Sequence, residues 1–228
     1  MRKSHAGFTL VLIVLCGILG VGTGYADGTY GSSKKGRQYA VTITNLTRGQ
    51  VITPPVVIVH NEKFRLFVFG ESAIPELAAL AEDGDTVPIL GLLPTLPSVL
   101  RGTMAEGPIM PGKSVTVEVR AKGNYPLVTV AGMLASSNDA FFAIQGKRVP
   151  LFGKSETYAV AYDAGSEANL ELCAHIPGPP CGNAFVRNTE GAEGYVHVHS
   201  GIHGIGDLVP EQFDWRNPVA EVVISPIR

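Results

Sequence analysis

The sequence predicts an all-β fold: an antiparallel β-sandwich with at most one or two short helices. Three observations point there. About nine or ten short apolar segments recur along the chain, several with strict apolar-polar alternation. Twenty-seven glycines and sixteen prolines punctuate them, as expected of many turns between short strands. Only one stretch carries apolar residues at helical spacing. A small cupin-type barrel is the competing arrangement.

In chain order, Tyr39 to Leu46 alternates apolar and polar positions, the pattern of a strand with one buried face. Pro54-Pro55 marks a turn, and Val56 to Val59 and Phe64 to Phe69 read as further strands. Ile74 to Glu82 is the helix: Leu77, Ala78, Leu80 and Ala81 share a face, and Gly84 follows as a stop. Leu90 to Leu100 contains Pro94 and Pro97 and reads as loop with at most one helical turn. Ser114 to Arg120 alternates cleanly. Leu127 to Leu134 is almost continuously apolar, as in a central strand covered on both faces. Phe141 to Ile144, Tyr158 to Tyr162, Leu170 to Cys173, Tyr195 to His199 and Val219 to Ile224 complete the strands.

Ahead of these lies an export signal. Arg2 and Lys3 precede an uncharged apolar run from Phe8 to Val21, and Gly24 and Ala26 put small residues where a signal peptidase reads them. Residues 1–26 are expected to be removed, 27–38 to form a flexible Gly/Ser/Lys leader, and 39–228 to form one domain. No second apolar segment is long enough for a membrane span. The expected location is therefore secreted or periplasmic. Removing the signal leaves 16 basic against 20 acidic residues, a net charge of −4. With no basic run in the sequence, this argues against nucleic acid and against anionic lipid as partners. Cys16 leaves with the signal. Cys173 and Cys181 remain, and an even pair in an oxidising compartment reads as a disulfide. A loop so short would be stabilised by roughly 2.5 kcal/mol. A metal-thiolate pair with His175 is the alternative, but the spacing is not that of a Cys-x-x-Cys knuckle.

No Gly-x-Ser-x-Gly elbow is present. Gly201, Gly204 and Gly206 are followed by no helical pattern, so they read as turns rather than a phosphate cradle. His197 and His199 share one face of a strand, and His203 follows in a turn. Three such imidazoles suit Zn²⁺ or Cu²⁺, or they simply hydrogen-bond loop backbone. Two polar turns bring acids together: Ser136-Ser137-Asn138-Asp139 before an apolar strand, and Asp163-Ala164-Gly165-Ser166-Glu167 after another. Hard oxygens from two loops at one end of a sandwich are what Ca²⁺ requires, although Asx-turns account equally well for Asp139 and Asp163.

The segments S-S-N-D-A-F-F-A-I, Y-D-A-G-S-E and N-P-V-A-E-V-V-I, in that order, resemble the spondin domain, the N-terminal module of F-spondin and mindin that also occurs as a stand-alone exported bacterial protein. Y-A-V-T-I-T-N-L-T and H-I-P-G-P-P-C-G-N are similar to the bacterial branch. The resemblance spans roughly residues 38 to 226. It implies a C2-like β-sandwich with a calcium site in loops at one end, its ligands falling on Asp139, Asp163 and Glu167. Two departures stand out: Ala140 and Phe141 occupy the region of the family's tryptophan, and the second acid of the D-A-G-x-D motif is a glutamate. The thrombospondin repeats of the animal proteins are missing, so their matrix role does not carry over.

The expected function is a secreted, non-enzymatic binding or adhesion-type module with a calcium-organised loop face and an unidentified extracellular or envelope ligand. The alternative is a zinc or copper metalloenzyme using His197, His199 and His203. A structural envelope protein without metal is the third reading.

Overall fold

The computed structural model describes residues 36–227. The expected signal peptide and most of the expected leader lie outside them. Among the described residues are nine strands: β1 (Arg37–Asn45), β2 (Val56–His60), β3 (Val99–Met104), β4 (Ser114–Ala121), β5 (Leu127–Met133), β6 (Ala140–Arg148), β7 (Ser155–Asp163), β8 (His197–Val198) and β9 (Ala220–Pro226). Every pairing is antiparallel, in the order β3-β2-β5-β6-β7-β9-β1-β4, with β8 beside β7.

β7 turns this order into two layers. Its first half, Ser155 to Ala159, pairs with β9, and its second half, Val160 to Asp163, pairs with β6. A strand that changes partner midway forms the corner of a sandwich. Between the layers lie Val41, Ile43, Val57, Val130, Phe142, Val222 and Ile224. Their alternation along β1 is the period-two pattern read from sequence, and β9 buries alternate residues in the same way.

A second core covers the outer face of β2, β5 and β6. Val56, Ile58 and Phe141 pack there against Leu77 and Leu80 of α1 (Pro75–Asp83) and Ile89 of α2 (Val87–Leu92). All seven residues of β5 are consequently buried, as its unbroken apolar run implied. Gly84 ends α1 in the left-handed conformation (φ 66°), and its N–H donates to the carbonyl of Leu80.

Several segments differ from the sequence reading. Phe64–Phe69 is a loop, not a strand: the N–H groups of Leu66 and Phe67 donate to Gln145 Oε1 rather than to a ladder. Phe64, Leu66 and Phe67 of this loop lid the outer core, while Val68 and Phe69 are exposed. Leu170–Cys173 is also not a strand, because Glu171 takes φ 55°, which no strand tolerates. Tyr195–His199 contracts to the two residues of β8. The expected Leu90–Leu100 loop begins inside α2 and continues as a 3-10 turn (Leu93–Thr95) with Pro94 at its start, and Pro88, ahead of that stretch, sits at the start of α2, where the missing N–H costs nothing. β3 escaped notice because it is an edge strand without alternation. A one-turn helix, α3 (Pro210–Phe213), precedes β9. Among the described residues no helix is long and apolar enough to cross a membrane.

Cys173 and Cys181 form a disulfide, with Cα atoms 4.8 Å apart.

Candidate metal centre

β6 begins one residue after Asp139, and β7 ends at Asp163. The register sets Ala140 opposite Asp163, so the two polar turns meet at one end of the sandwich. The Ser136–Asp139 turn is polar in sequence yet wholly buried. Most of its polar groups are hydrogen-bonded, as burial requires, the exceptions being Asn138 Nδ2 and Asp139 Oδ1. Gln50 clasps Ser136 through both backbone groups, Ser137 Oγ donates to the carbonyl of Leu134, and Asn138 Oδ1 accepts from the N–H of Glu171.

Asp139 and Asp163 are both almost inaccessible to solvent. Asp139 Oδ2 accepts from the N–H groups of Ser166 (2.7 Å) and Glu167 (3.0 Å) and from Ser166 Oγ (3.2 Å). Its other oxygen, Oδ1, is buried without a partner. Burial, and after it the charge of Asp163, raises the Asp139 carboxyl well above the usual carboxylate range. Asp163 is raised by its own burial, although Oδ1 accepts from the N–H of Gly165 (2.7 Å) and Oδ2 from Asn169 Nδ2 (2.6 Å).

The glycine of the D-A-G motif has a clear physical purpose here. Gly165 has φ 66°, and a Cβ on it would strike the backbone of Tyr195. Its carbonyl accepts from the N–H of Gly194 (2.8 Å). The 193–197 segment therefore passes close to Asp163 and delivers Glu193 and His197. Ligand atoms of Asp163, Glu193 and His197 all lie within 4.8 Å of one another. This group of one buried and two more accessible donors could hold a metal ion. Glu193 lies in a plain G-A-E-G turn, and nothing in the sequence distinguishes it.

The remaining sequence candidates fall elsewhere. Glu167 contributes its backbone N–H to Asp139, while its carboxylate accepts from the N–H of Asn188 (2.6 Å). Burial, then the charges of Glu82 and Asp83, pushes its pKa up to about 7. Glu82 is itself buried and ion-paired with Arg187, so Glu167 faces a group that ties the 185–188 loop to α1. A carboxyl raised in this way stabilises the fold fully below its ordinary value of about 4.5, and that contribution is lost as pH rises towards 7. Glu167→Gln, which keeps an acceptor for Asn188, should therefore melt above wild type at pH 8 and converge with it near pH 4.5. A variant that melts below wild type at pH 8 would contradict this placement.

The three histidines are not gathered on one ion. His199 Nδ1 accepts from the N–H of Gly201 (2.9 Å), so Nε2 carries the proton and donates to Asn169 Oδ1 (3.1 Å). Burial holds its pKa near 3, and with both nitrogens engaged this neutral imidazole has no lone pair to offer. Its role is to orient Asn169, whose Nδ2 holds Asp163 and faces Glu193 Oε1 at 3.3 Å. His203 is exposed, with Nε2 3.3 Å from Ser200 Oγ. His199 Nε2 lies 3.7 Å from Asp163 Oδ2 and His197 Nδ1 lies 3.9 Å from Asp163 Oδ1, but of the three only His197 joins the group formed with Glu193.

Glu171, absent from the sequence reading, organises the glycine-rich turn. Its buried carboxylate accepts from the N–H groups of His203 (2.6 Å), Gly204 (2.7 Å) and Ile205 (3.0 Å). The backbone nest that might have suggested a phosphate is filled by the chain's own carboxylate. Compared with protein-family models and with curated proteins, the chain matches none.

Proposed function

We propose that this is an exported, non-enzymatic binding module whose acidic loop face is organised by a calcium ion held by Asp139 and Asp163, with Glu193 completing the oxygen set. The observation that carries the reading is the buried, unpartnered Oδ1 of Asp139 beside a second buried carboxylate. Two such charges repel in a low-dielectric surround, and a divalent cation relieves that repulsion. Asp163 and Glu193 belong to the group whose ligand atoms converge within 4.8 Å. Asp139 joins the proposed set through its unpartnered Oδ1, and Glu193 takes the place the spondin resemblance gave to the Glu167 carboxylate. The N-terminal signal pattern and the disulfide support export.

A second reading rests on His197, whose imidazole suits zinc or copper better than calcium. Elemental analysis of the untagged exported protein, with Asp163→Asn alongside, separates the two. Calcium near one equivalent in wild type and little in the variant is expected. Zinc or copper lost on Asp163→Asn would favour the second reading. Metal retained by Asp163→Asn would refute both.

A further inference from the structure

We propose that the opposite end of the sandwich docks on an anionic lipid surface, with the β6–β7 turn as its contact point. β6 runs away from Asp139 and β7 returns towards Asp163, so the turn at residues 149–154 lies at the far end from the acidic loops. Leu151 and Phe152 stand at its tip, 58% and 76% exposed. A single exposed apolar side chain is ordinary. Two adjacent ones at a protruding turn, ringed by cations, are a membrane-contact pattern.

The ring comes from four separate parts of the chain. Arg37, at the start of β1, donates to the carbonyl of Leu151. The β1–β4 register sets Arg37 opposite Ala121, so Lys122 follows on at the same end. Lys147 and Arg148 lie opposite Val128 and Leu127, and Leu127 lies opposite His60. The turn after His60 thereby places Lys63 here, and the guanidinium of Arg65 lies beside Gly146. Lys154 closes the β6–β7 turn. These are seven of the thirteen lysines and arginines among residues 36–227. Two acids of this end, Glu62 and Glu156, are engaged with Arg148 (2.9 Å) and Lys154 (3.0 Å) in solvent-exposed pairs, which are weak.

Whole-chain charge concealed this end. A sum carries no positions: seven bases gather at this end, while Asp139, Asp163 and Glu193 lie at the other. A lipid interface matches both parts of the surface: headgroup phosphates meet the lysines and arginines, and the acyl boundary receives Leu151 and Phe152. A nucleic acid or a soluble polyanion would use only the charges.

The test is co-sedimentation of the exported protein with vesicles of phosphatidylcholine alone, or with about one third phosphatidylglycerol, at low and high salt. Binding only to the anionic vesicles, weakened by salt, is expected. Each Lys or Arg near the surface is worth about fivefold in partition, so Lys147→Glu with Lys154→Glu should lose well over tenfold. Phe152→Ser should lose about tenfold through apolar burial. Both variants alter side chains outside the core, and unchanged melting temperatures would verify their folds. Asp163→Asn, at the other pole, should bind like wild type, which separates this proposal from the metal reading. Absence of binding to the anionic vesicles would overturn it. So would unchanged binding in either tip variant, or displacement by dextran sulfate with Phe152→Ser behaving as wild type, which would mark a soluble polyanion as the partner.

Discussion

Glu171→Ala should lower stability by about 3 kcal/mol, the largest single loss expected outside the apolar core. Three backbone N–H groups converge on this one buried carboxylate, and each hydrogen bond to a charged acceptor is worth about 1.5–3 kcal/mol. The full sum is not expected, because the 203–205 turn is exposed and water can reach some of the freed donors. For a domain of this size the loss corresponds to a fall in melting temperature of about 6–12 °C. Two companion variants separate the contributions. Glu171→Gln keeps an acceptor oxygen and should recover part of the loss. Glu171→Gly should be milder than Ala, because φ 55° costs an L-residue about 1–2 kcal/mol that glycine does not incur. Thermal melts of all three would check the assignment. If Ala melts within 2 °C (roughly 1 kcal/mol) of wild type, the carboxylate does not hold the turn.

Asp139→Asn should have opposite effects with and without metal. Without metal, the variant should melt higher than wild type at pH 7. Asparagine still offers a carbonyl oxygen to Ser166 and Glu167, and it removes a buried charge that faces Asp163. The sign follows from linkage. A carboxyl raised in the folded state contributes its full stability below about pH 3.8, and loses it as pH rises through the folded value. The gap between variant and wild type should therefore narrow as pH falls towards 4. With calcium the order reverses. A ligand that binds only the folded state stabilises it by about 2.7 kcal/mol at a hundredfold excess over its Kd, or about 5–10 °C here. Wild type should gain that shift and Asp139→Asn should gain almost none. Equal calcium shifts in the two proteins would remove Asp139 from the ion's ligands.

Some of this was legible in the residues alone. Period-two alternation marked β1 and β4, and the unbroken apolar run of β5 announced burial on both faces, because side-chain direction in a strand is a local property. The acid pair Asp139 and Asp163 was also legible, since Asp139 comes just before one strand, Asp163 ends another, and neighbouring strands bring their ends together. Cys173 and Cys181 were readable from count and proximity. Phe64–Phe69 misled because an apolar run does not say which backbone groups are paired: Phe64, Leu66 and Phe67 are buried, yet Gln145 rather than a ladder accepts from Leu66 and Phe67.

Other features arose only when distant segments met. Glu193 reaches Asp163 because Gly165 lets the 193–197 backbone pass close by, a contact with no sequence signature. The Glu167 side chain turned to Asn188 and the Glu82–Arg187 pair, although its motif position pointed to the ion. His199 lost its ligand role to Gly201 and Asn169. The charges show the difference most plainly. Composition supplied a net of −4 and no more, because a sum carries no positions. Strand register, set by closure of the two layers through β7, carried lysines and arginines to one pole and buried carboxylates to the other, and that separation exists only in the folded chain.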